Sequence, residues 1–219
     1  MKLELGVPVS FTAGEEGVVA DVIVDPHARV VSHVVVAPRH HHDRARLVPI
    51  ADVDPDAQGE MLRCEHTPEH YPLVESTQFV KMSQPIEASG NWDVGIEEVS
   101  ALPYYTGEFD GFAWSRYPGR DEDAPVGVTF HRIPKGHVEI RRQSPVFGSD
   151  ETRLGRVDGF LVSGDDITHV VLEEGHLLGH REVAIPVADV RSVSNDSVVL
   201  SLTAAEVDAL PHPRSIKRI

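Results

Sequence analysis

The side chains able to bind a metal, move a proton or attack an electrophile come first. His66-Thr67-Pro68-Glu69-His70 matches H-x-x-E-H, the spacing with which inverted metallopeptidases hold zinc. That chemistry needs both imidazoles on one helical face, a turn apart. Proline fits the first position of a helix, so a helix here starts at Pro68 and leaves His66 outside it. The later half also has Leu202 where this half has His66, which speaks against zinc. His40-His41-His42 sits among Arg39, Arg44 and Arg46, and His176 and His180 occupy a comparable loop further on. Consecutive imidazoles hold transition metals weakly. No cysteine or ordered carboxylate completes a closed set, and the run reads as a solvated loop. Cys64, the single cysteine, reads as a buried small apolar residue, because a redox sensor needs a lowered pKa and a resolving thiol.

Two further groups recur. His33 and His169 sit in the related strings VVSHVVVA (30–37) and DITHVVLE (166–173); recurrence favours a structural part, a hydrogen bond across a sheet. Asp52 and Asp189 end the strings RLVPIADV and EVAIPVADV, where an aspartate at a strand end bonds its own backbone in an Asx turn. There is no glycine-rich phosphate loop, no nucleophile elbow and no paired-cysteine metal site. Catalytic residues, cofactor and metal are all read as none.

The elements that must position these residues form a repeat, and repeats are read before anything else. GVVADVIV (17–24) answers GRVDGFLV (155–162), and TPEHYPLV (67–74) answers TAAEVDAL (203–210). With the two pairs above, four matches fall in the same order. Each segment is short, rich in Val and Ile, and bounded by Gly, Pro or Asp, which spells β-strand. Strands are expected at Val18–Val24, at Val30–Val36 and from Leu47 to Ala51-Asp52. Val138-Glu139-Ile140 alternates and suggests a strand leading into the second repeat. Thr203 with Glu206 forms a capping box, and Thr67-Pro68 opens a helical turn in the first repeat.

These strings resemble the PRC-barrel family, over roughly residues 5–75 and 144–211. The family includes the C-terminal domain of the ribosome maturation factor RimM and the cytoplasmic domain of the photosynthetic reaction-centre H subunit. The resemblance implies a small barrel that docks on protein or RNA–protein surfaces and carries no catalytic residues. The expected fold class is all-β: two PRC-type small β-barrels related by internal duplication, each ending in a short helix. The expected domains are a first barrel at 1–75, a connecting segment at 76–143 and a second barrel with its tail at 144–219.

The connecting segment holds Tyr104, Tyr105, Phe109, Phe112, Trp114 and Tyr117 within a short stretch. Disordered linkers avoid aromatic residues, so the segment is expected to pack between the barrels. Those six residues, with Leu177 and Leu178 at a hairpin tip, are the candidate partner-binding residues, since exposed aromatic and apolar groups mark interfaces.

The 219 residues carry a formal charge of -15. Nucleic-acid affinity comes largely from Lys and Arg neutralising phosphates, and anionic membranes repel so acidic a chain. No apolar run is long enough to span a bilayer, and the first residues do not read as a signal peptide. The location is taken as cytoplasmic by default. The function expected is a non-catalytic adaptor that docks on a partner protein. A ribosome- or RNA-associated assembly factor and a small-ligand or metal-binding protein are the alternatives. Barrel edges also allow a homodimer.

Overall fold

The computed structural model describes residues 1–38, 44–55, 60–81, 91–100, 125–176, 179–194 and 197–210. The described residues are all-β apart from short 3-10 turns and one five-residue helix. Two compact units divide the chain: Met1–Leu73 together with Gly136–Ile219, and Val74–Lys135.

The first stretch of the larger unit carries β1 (Lys2–Glu4), β2 (Pro8–Ser10), β3 (Glu16–Asp25), β4 (Val30–Ala37) and β5 (Arg46–Pro49), then β6 (Val53–Pro55) and β7 (Leu62–Cys64). The smaller unit is β8 (Glu75–Lys81), β9 (Trp92–Ser100) and β10 (Pro125–Pro134), with β10 between the other two and antiparallel to both. The larger unit resumes with β11 (Val138–Arg141), β12 (Pro145–Phe147), β13 (Arg153–Ser163), β14 (Asp166–His176), β15 (Gly179–Pro186), β16 (Val190–Ser194), β17 (Ser197–Leu200) and α1 (Ala204–Asp208).

The two stretches of the larger unit carry matching ladders. β2, β3, β4 and β5 pair antiparallel in that order, as do β12, β13, β14 and β15. β2 runs parallel to β7 at Val9↔Leu62, and β12 runs parallel to β17 at Val146↔Val198. β6 meets β7 at Val53↔Cys64, and β16 meets β17 at Val190↔Leu200. His33↔Pro49 has its counterpart in His169↔Pro186. The close approach of β3 to β4 and of β13 to β14 each needs a glycine. A Cβ on Gly155 would lie 2.3 Å from the Glu173 carbonyl, and one on Gly17 would lie 2.8 Å from Val36.

The short leading strands change sides. β1 pairs with β13 of the later stretch, at Leu3↔Phe160, and β11 pairs with β3 of the earlier one, at Ile140↔Val22. Val138-Glu139-Ile140 is thus a strand, which leads into β12 along the chain and pairs with β3 of the earlier stretch. Leu3, Val22, Ile140 and Phe160 are all buried in one core. At the centre, Val30 of β4 pairs with Asp166 of β14. Two reciprocal hydrogen bonds flank that pair: Val31 N–H to the Asp165 carbonyl at 2.9 Å, and Ile167 N–H to the Arg29 carbonyl at 3.1 Å. The result is one mixed sheet of 14 strands running through both stretches, and the described pairings leave it open.

Two local details differ from expectation. The strand that starts near Leu47 ends at Pro49, and Ile50–Asp52 forms a 3-10 turn. Proline lacks the N–H that would continue a ladder, and Pro186 starts the same turn at Val187–Asp189. The turn at Thr67 is only the 3-10 segment Pro68–His70, while Ala204–Asp208 is α-helical. The helix is held at its start as the capping box requires, with the Glu206 carboxylate accepting from the Thr203 N–H and hydroxyl, both at 2.8 Å. Burial of Val207 docks it on the core.

Candidate functional site

Polar and reactive side chains gather at one place in the earlier stretch. The 3-10 turns Ile50–Asp52 and Pro68–His70 bring Asp52 and Tyr71 together, and β7 places Cys64 beside them. The Tyr71 ring is buried, 6.2 Å from Phe11 and edge-on to His70 at 5.3 Å. Its hydroxyl accepts the His66 N–H at 3.3 Å and donates to the Asp52 carboxylate. The His66 and His70 rings lie with centres 4.0 Å apart, tilted by 40°. Pro68 does begin the turn and His66 does precede it, yet the two rings still touch. Among the described residues, no group of three or more metal-ligating side chains could hold an ion.

The electrostatics disarm this cluster. Burial, with help from the Asp52 charge, pushes the Cys64 thiol up to about 12. At neutral pH roughly one such thiol in 10⁵ is a thiolate, far too few for a nucleophile or a redox sensor. Burial pushes Tyr71 up to about 12 as well, opposed by the His66 N–H and reinforced by Asp52. At the matching places of the later stretch, Cys64, His66 and Tyr71 are replaced by Leu200, Leu202 and Val207. The same corner is apolar there, so the cluster has a packing equivalent.

The recurring residues behave differently from expectation. His33 Nδ1 is buried with no hydrogen-bond partner among the described residues, and His169 Nδ1 meets only the adjacent Thr168 hydroxyl, at 3.1 Å. No bond across the sheet by Nδ1 explains either one. Burial lowers the pKa of both; at His33 the nearby His137 lowers it further and Asp52 opposes. Asp52 and Asp189 recur for their backbone rather than for an Asx turn. Each carbonyl accepts an N–H, from Glu65 at 3.0 Å and from Ser201 at 2.8 Å. The Asx turn belongs to Asp25, whose carboxylate accepts from His27 and Ala28 and is held below its ordinary pKa mainly by the Ala28 N–H.

A second group is ionic. Lys2 of β1 bridges Glu4 at 2.6 Å and Glu182 of β15 at 3.0 Å. Arg156 pairs with Glu173 at 2.9 Å. Arg181 reaches Glu174 at 3.4 Å and both the carboxylate and the carbonyl of Asp208. Asp158 sits among them with its pKa raised, first by burial and then by Glu182. An open cleft of about 480 Å³ lies elsewhere in the unit, with apolar Met1, Ile50 and Val53 and the carboxylates Asp54 and Asp165 on its walls.

Leu177, Leu178, Tyr104, Tyr105, Phe109, Phe112, Trp114 and Tyr117 lie outside the described residues, as does the His40-His41-His42 run. What sequence reasoning missed is the Asp52–Tyr71 contact and the ionic group around Asp158. Their members come from strands far apart in the chain, and no local spacing links them.

Residues 140–208 match the model of a family described as an uncharacterized protein conserved in bacteria, DUF2171. The match begins within β11 and ends at α1, and so lies within the later stretch of the larger unit. No curated protein matches the chain. Among the described residues no helix is long and apolar enough to cross a membrane.

Proposed function

We propose that this chain is a non-catalytic docking protein of PRC-barrel type, built from two copies of one small barrel and binding a partner protein through surface hairpins. The observation that supports it best is the matching pair of ladders, β2 to β7 and β12 to β17, with equivalent residues such as Val9 and Val146 in equivalent pairings. Duplicated ladders of this kind are a scaffold, and the family resemblance attaches docking to that scaffold. The state of Cys64 and Tyr71 agrees, since both hold their protons well above neutral pH. The net charge of -15 favours a protein partner over an RNA or ribosomal one.

In-cell crosslinking followed by mass spectrometry tests the reading, with the wild-type chain and with Leu177→Asp and Leu178→Asp together. The expected result is a small set of protein partners that the double variant loses. Binding should change little between about 50 and 200 mM salt, where phosphate contacts weaken steeply. A partner list that is unchanged in the variant, or one led by RNA with a steep salt slope, overturns it.

A further inference from the structure

We propose that the larger unit is a self-clasping pair, in which residues 1–73 and 136–210 hold each other as a complete fold without the chain that joins them. Residues 74–135 are then an insert, and cutting the chain around it leaves the host standing.

Each repeat is incomplete by itself. The edge of β3 is filled by β11 and the edge of β13 by β1, so each stretch supplies the strand the other lacks. Both donated strands carry a buried apolar anchor, Leu3 or Ile140, with no exposure at all. Beyond the ladders, the Leu5 N–H donates to the Asp158 carbonyl and the Val162 N–H to the Met1 carbonyl, each at 2.9 Å. Lys2 adds an ion pair to Glu182.

The geometry is that of a two-fold contact. When surface i meets surface j, j meets i again, and every interaction occurs twice. Here Leu3↔Phe160 and Ile140↔Val22 are the two occurrences of one contact. Val30↔Asp166, flanked by its reciprocal hydrogen bonds, marks the crossing point. Separate chains associate through such contacts. A covalent joint adds effective concentration but no contact of its own. Gly159 shows how close the clasp is: a Cβ there would lie 2.3 Å from the Leu3 carbonyl.

The decisive experiment places one site-specific protease sequence between Leu73 and Val74 and a second in the exposed turn at Lys135-Gly136 of the full-length chain. After both cuts, residues 74–135 are free and cannot bridge the pieces. The two flanking fragments should co-elute as one particle on size exclusion, with an unchanged near-ultraviolet dichroism spectrum and a melting temperature that now depends on concentration. Adding Gly159→Val should make the cut fragments separate. Fragments that elute apart or unfold at micromolar concentration without that substitution overturn the proposal.

Hydrogen exchange on the uncut, unaltered protein decides the matter even if the inserted sequences prevent folding. A strand of only three residues ordinarily frays. The amides of β1 should instead be protected to within about tenfold of those of β13, opening only with the whole unit. Amides of β1 that exchange at the rate of an unstructured peptide contradict the clasp.

Discussion

At the scale of single residues, burial sets the behaviour of the ionisable groups. Asp158 has a raised pKa because burial, Glu182 and Glu173 all oppose its charge. Its ionised form therefore opposes folding at neutral pH. Asp158→Asn should raise the melting temperature at pH 7, and the gain should vanish as pH falls below the carboxylate range, where the native residue is itself neutral. Calorimetry at both pH values checks this; a loss of stability at pH 7 refutes it. His33 works in the opposite direction of pH. Its folded pKa lies below the ordinary 6.5, so the unfolded chain takes up the proton first. The stability it contributes is complete above about 6.5 and is lost as pH falls from there towards the folded pKa. His33→Gln should flatten the acid limb of a stability profile in that window, while His169→Gln, at a more exposed position, should flatten it less.

At the scale of elements, the donated strands make the sharpest predictions. Leu3→Ala and Ile140→Ala remove equivalent anchors, and each should cost about 2–5 kcal/mol by denaturant titration. A cost at Leu3 like that of a frayed terminus would mean that β1 is an ornament. Gly159→Ala should cost about 1–3 kcal/mol, because the obstructing atom is the Leu3 backbone and not a flexible side chain. Much of this level was legible in the sequence. The runs of Val and Ile announced β3, β4, β13 and β14, and Thr203 with Glu206 announced α1. The change of sides was not legible. β1 and β11 are three and four residues long, and a short alternating string says that it is a strand without saying whose. The polar corner of Asp52, Cys64 and Tyr71 was hidden for the same reason, since three separate elements must fold before the residues meet.

At the scale of the whole molecule, charge and repetition dominate. A formal charge of -15 repels itself in the compact state, so added salt should raise the melting temperature at pH 7. A fall in melting temperature would show that the ion pairs of Lys2, Arg156 and Arg181 outweigh that repulsion. Four pairs of strings in matching order were visible in the sequence, and the all-β class followed from them. The single open sheet was not visible, because it depends on one central pair, Val30 with Asp166, that joins the two ladders.

The long reach of β1 also dictates an order of events during synthesis. β1 is made long before its partner strand, which ends at Ser163. At about 5–20 residues per second, β1 waits for many seconds with its hydrogen-bonding groups unmatched. The edge of β3 waits nearly as long for β11. Such distant pairing makes folding slow, and bare strand edges attract other nascent chains. The chain is therefore most exposed to misassembly before β11 and β13 have been made, and chaperone dependence should be concentrated in that interval.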